Sequence, residues 1–74
     1  ILVSNHIRTD LRQLIRELPH DQREVVLMRH FGGLSFKEIA ELTGVSINTA
    51  LGRMRYALIN LRKLIREKNV VLTR

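Results

Sequence analysis

Apolar residues recur along this chain at spacings of three and four, and nowhere alternate every second position for long enough to suggest a strand. Proline and glycine cut the pattern into four helical segments, so the sequence predicts an all-α, four-helix bundle-like fold with helices at about 5–17, 20–31, 36–42 and 47–67. The first carries Ile7, Leu11, Leu14, Ile15 and Leu18 on one stripe. Pro19 suits the first turn of the second. That helix holds Val25, Val26, Leu27, Met28 and Phe31, apolar around most of its circumference, and is read as the central one. Gly32 and Gly33 stop it. In the fourth, Ile47, Leu51, Met54, Leu58, Leu61 and Ile65 form a seam at heptad spacing, broadened by Ala50, Ala57 and Leu64. Asn48, Thr49, Gly52, Tyr56, Ile59 and Lys63 fall on the opposite side. Three other helices need a surface to pack on, so the seam is expected to bury within the domain rather than pair with a second copy.

Ser35 to Arg53 is the most informative stretch. Ser35 can accept from the amide of Glu38 while the Glu38 carboxylate reaches back to the amide of Ser35, a capping box that starts the third helix. Ile39, Ala40 and Leu42 supply its buried side. Gly44 falls where the chain must reverse, a position that calls for positive φ and suits a residue without Cβ. Ala40 is small where two steeply crossing helices bring their backbones together. Ser46 then caps a new helix. The result is a helix-turn-helix at about 35–56, and duplex DNA is its leading partner.

A recognition helix presents short polar side chains near its N-terminus, where it enters the major groove, with cations nearby for phosphate. Asn48 and Thr49 stand close enough to that end to reach base edges. An asparagine amide pairs two-pronged with adenine, and a threonine methyl meets that of thymine. Gly52 leaves room for close approach, at a cost in helix stability. The free amides of the turn begun by Ser46 can face a phosphate, and Tyr56 can donate to one. Arg53 borders the Ala50 and Ala57 edge and is read as serving both a phosphate and a carboxylate of the third helix such as Glu38. Arg55 adds a cation, while Arg29 and Lys37 are placed to grip the sugar-phosphate backbone on either side of the groove, and Ser35 is counted with them among the DNA-binding residues.

Charge sharpens this picture. Residues 1–45 balance six basic groups against six acidic ones, so the entire net charge of +6 lies on 46–74, where Glu67 is the only acid. Such asymmetry points to a polyanion and to salt-dependent binding. Basic residues also suit a helix C-terminus, which accounts for Arg62 to Lys68 but not for Arg53 and Arg55.

The chain has 74 residues and no cysteine, so a single domain over 1–74 without disulfide or thiolate metal site is expected. Its apolar runs are too short for a membrane span or a signal sequence, which fits a soluble, cytoplasmic protein. It does not begin with methionine and is read as a C-terminal piece of something longer. No catalytic constellation is present. His6, His20 and His30 lack metal-ligand spacing, and no glycine loop precedes a Lys-Ser or Lys-Thr pair, so no enzyme, cofactor or metal is expected.

Pro19 to Leu64 resembles the C-terminal region four domain of bacterial sigma factors, closest to the extracytoplasmic-function group. The resemblance rests on Leu18-Pro19 followed by Gln22-Arg23-Glu24-Val25, on Gly33 through Ala40, on Gly44-Val45-Ser46, and on Thr49, Arg53, Ala57 and Leu61. It implies transcription initiation: reading the minus thirty-five promoter element in the major groove, docking on the β flap of RNA polymerase, and sequestration by an anti-sigma factor. The pattern departs at Ala50, where the family carries a β-branched residue, and at Leu51, where it carries a basic or polar one. Leu51 is left to pack or to touch a thymine methyl. The output domain of response regulators shares the Glu-Ile-Ala core but places threonine where this chain has Leu18-Pro19. A basic protein-interaction module is the other alternative.

Overall fold

The computed structural model describes residues 7–68 and 70–73, with side chains from 11 to 68. The order is β1 (Ile7–Asp10), α1 (Leu11–Ile15), α2 (His20–Val26) extended by a π-helical turn (Leu27–Phe31), α3 (Phe36–Thr43), α4 (Ile47–Lys68) and β2 (Val70–Thr73). All-α architecture holds for the packed body, with four helical segments in the expected order. The addition is a two-stranded ribbon in which β1 runs parallel to β2, Ile7 opposite Val70 and Asp10 opposite Thr73. Each strand has four residues, too few for alternation to register, and their β-branched content suits a pleated pair. The ribbon corrects the first helix. It begins at Leu11, and Ile7 belongs to β1 instead of the apolar stripe; the expected start at Asn5 lies outside the described residues.

The end of α1 reflects the proline beyond it. Glu17 and Leu18 donate their amides three residues back, to Leu14 and Ile15, both at 3.0 Å, because the ring of Pro19 disfavours α conformation in the residue before it. Pro19 itself stands at the N-cap of α2 with φ −54° and ψ 151°, one position ahead of the first turn. At the other end, the Gly32 amide donates to the Leu27 carbonyl five residues back at 3.0 Å. That extra residue widens the turn and breaks the regular 3.6-residue period, so Leu27 and Phe31 face solvent and the helix is not buried all round. Arg12 stacks over the Phe31 ring.

Two apolar clusters form the core. One joins Val25, Ile39, Ala40 and Ala50; the other joins Leu14, Ile15, Leu18, Val26, Ala57 and Leu61. Met54 packs against both. The buried side of α4 is thus Ala50, Ala57 and Leu61, backed by Met54, Leu64 and Ile65, while Ile47, Leu51 and Leu58 of the expected seam are exposed. The alanines, seven residues apart, let neighbouring backbones close in, and the helix turns that stripe inward in preference to the leucines. Leu42 is likewise corrected. It lies two residues past Ala40, about 200° round the helix, and is 67% exposed.

Polar ties complete the packing. Asn60 Nδ2 donates to Gln22 Oε1 at 2.7 Å, linking α4 to α2, and Lys68 pairs with Glu17 at 2.9 Å. Among the described residues no helix is long and apolar enough to cross a membrane.

Candidate nucleic-acid interface

The turn between α3 and α4 is fixed by backbone chemistry at both ends. The Ser35 amide donates to Glu38 Oε1 at 2.8 Å and the Glu38 amide donates to Ser35 Oγ at 3.1 Å, closing the capping box. Hydrogen bonding to the carboxylate by the Ser35 amide first, and by the Ser35 hydroxyl second, holds the Glu38 carboxyl below its ordinary pKa. Gly44 adopts φ 73° and ψ 29°, and its amide and that of Val45 both reach the Ala40 carbonyl. Val45 then folds against the Ile39 and Ala40 cluster. Ser46 caps α4 as expected: its Oγ accepts from the Thr49 amide at 3.1 Å and donates to Thr49 Oγ1 at 3.0 Å.

With Ala50 and Ala57 facing inward, helical geometry turns Asn48, Gly52 and Ile59 directly outward. Asn48, Thr49, Arg55 and Tyr56 are exposed on this outer side, Tyr56 at 59%. Asn48, Arg55 and Tyr56 make no side-chain hydrogen bond or ion pair among the described residues, and neither does Lys37 in the first turn of α3. Arg62, Lys63 and Arg66 continue the exposed positive charge along α4, also without an ion pair among the described residues.

Two arginines are placed differently. Arg53 lies on the flank of α4 that meets α2 and pairs with Asp21 Oδ2 at 3.6 Å, its side chain only a quarter exposed. Asp21, not a third-helix carboxylate, is its partner, since Glu38 is held by Ser35. Arg29 donates to the Leu34 carbonyl at 3.0 Å and stacks over Phe36, bracing the turn between α2 and α3. Its expected grip on the sugar-phosphate backbone would have to use the remaining donors of the guanidinium.

One surface is not apparent from the sequence pattern. Phe36, Leu51, Met54, Leu58 and Ile59 line a shallow apolar groove rimmed by Arg55 and Arg62. It adjoins a second cleft that reaches Val26, His30 and Ile65. A wheel centred on the alanines, as the points of closest helix contact, would have left these leucines outside. Leu51 therefore neither sinks into the core nor stands with Thr49 and Tyr56; it lies on the opposite flank of α4. Among the described residues no group of three or more His, Asp or Glu side chains could hold a metal.

Residues 8–58 match the family model described as sigma-70, region 4. The chain is 40% identical over 50 residues to RNA polymerase sigma factor SigV of Bacillus subtilis (strain 168), an overlap that covers 68% of this chain and 30% of that protein. The chain thus spans under a third of the relative it matches. No solved structure matches it.

Proposed function

The chain belongs to the sigma-70 region 4 family, DNA-binding domains that act in transcription initiation, and on that premise we propose how its residues divide the work at a promoter. Asn48 and Thr49 read bases of the minus thirty-five element from the first turn of α4. Lys37, Arg55 and Tyr56 contact phosphate, with the amide end of α4 at Ser46 as a further anion site. Arg29, Ser35 and Arg53 set the angle of α3 and α4 through the bonds described above, with Arg29 and Arg53 keeping spare donors for phosphate. The observation that carries this reading is the outer side of α4, where Asn48, Arg55 and Tyr56 stand exposed with no hydrogen-bond or ion-pair partner among the described residues.

The domain works as a monomer in the cytoplasm, as the C-terminal part of a sigma factor of the extracytoplasmic-function group. RNA polymerase, through its β flap, and an anti-sigma factor are its protein partners. The apolar groove beside Leu51 and Leu58 lies on the flank of α4 away from Thr49 and Tyr56. A protein seated there leaves Asn48, Thr49 and Tyr56 to DNA, with Arg55 at the border between the two surfaces.

The test is a binding titration with duplexes selected by this chain from a random pool, against an unrelated duplex, across a range of salt. Detached from polymerase, the domain is expected to bind at about 10⁻⁴ to 10⁻⁶ M, falling steeply with salt, with a measurable preference for the selected duplex. Asn48→Ala should cost about 1–3 kcal/mol on the selected duplex and relax one base position, whereas Lys37→Ala should weaken all duplexes alike and reduce the salt slope by about one. Equal losses on every duplex for Asn48→Ala would remove its reading role. Weak binding without any preference would favour a basic protein-interaction module.

A further inference from the structure

Four glycines occur in the chain, and three have reasons inside it. A Cβ on Gly32 would stand 2.7 Å from the Met28 carbonyl oxygen, and Gly33 and Gly44 adopt positive φ of 68° and 73°. Gly52 has no such reason. It sits within α4 in helical conformation, and a Cβ built there meets nothing within 4 Å. A glycine inside a helix is among the least favourable choices, since it loses the most backbone freedom on folding. The fold would accept alanine here and gain from it.

We infer that Gly52 is a clearance notch for the DNA, the point where the backbone of α4 comes closest to the floor of the major groove. The position fits. Gly52 lies one helical turn after Asn48 and one before Tyr56, so two exposed side chains flank a gap open to solvent. Seating Asn48 on a base edge carries the helix inward until the stretch beside it meets the duplex, and a methyl group at 52 would stop it short. Fit then depends on an absent side chain, with folding and recognition pulling in opposite directions at one residue. This inference rests on the proposed DNA-reading role of α4.

Gly52→Ala tests it, because the variant is expected to fold better. Its melting temperature should rise by several degrees, the direction that helix propensity gives, while affinity for the selected duplex falls on the order of tenfold, the scale of one lost base contact. Affinity for the unrelated duplex, held at a distance by phosphate contacts, should change far less. A Gly52→Ala chain that is more stable and binds the selected duplex as well as the parent would overturn the notch while leaving the promoter reading intact. A parent chain with no preference between duplexes would instead remove the reading itself. A fall in melting temperature for Gly52→Ala would show an internal need for glycine and also overturn the inference.

Discussion

The half of the domain built around the turn between α3 and α4 and the half built around α1 and the far end of α4 are held by different means. In the first, the constraints on the turn itself are local: the capping box closes within three residues and Gly44 reverses the chain, while Asp21 and Val25 of α2 meet Arg53 and Ala50 of α4 behind it. In the second, the ties join distant parts of the chain, Asn60 to Gln22, Lys68 to Glu17, and β1 to β2. Local constraints fix an angle with little dependence on the rest of the molecule, which is what a helix aimed at DNA requires. Distant ties hold the scaffold behind it. Met54 is the apolar side chain that both clusters share.

The sharpest way to break this contrast is Met54→Ala. Truncating a core methionine costs about 2–5 kcal/mol, nearer the lower end for this partly buried one, and amide exchange should accelerate in both halves. Acceleration confined to one half would deny Met54 its bridging place. Ala40→Leu comes next. Overpacking is expected to cost about 1–3 kcal/mol, because Ala40 is 4% exposed where α3 meets α4. A variant with unchanged melting temperature and helicity would contradict that close approach.

Smaller effects belong to the cap. Ser35→Ala should cost about 0.5–2 kcal/mol in a urea titration. Its partner adds a pH signature: the folded-state pKa of Glu38 is depressed, so its contribution is full above the ordinary carboxylate range and is lost as pH falls through the lowered value. The difference in melting temperature between the parent and Glu38→Gln should therefore shrink on acidification, and a gap that stays constant down to low pH would show that the charge on Glu38 does not support the cap.

The same contrast explains what can be read from the chain alone. Ser35 with Glu38, Gly44 and Ser46 are short-range signals, and each takes the conformation that its chemistry dictates. The exposed positions of Asn48, Thr49 and Tyr56 come from helical periodicity once the start of α4 is known. The hidden features depend on partners far along the chain or on a broken period. The ribbon shows only when its two ends are brought together, and the π turn shifts Leu27 and Phe31 off a regular wheel. The inward face of α4 differs from the expected seam because leucines outweigh alanines in a hydrophobicity count, although the alanines mark where helices touch. Arg53 shows the limit for charge: a wheel gives its flank, but not that Asp21 waits across it.

The parallel sense of the ribbon has a mechanical consequence. Tension applied at Ile7 and Thr73 draws β1 and β2 past one another along their length, so the ladder is loaded in shear, all rungs together, instead of being peeled open from one end. A pull transmitted through the domain meets this clasp before it reaches the seat of α4 on α2.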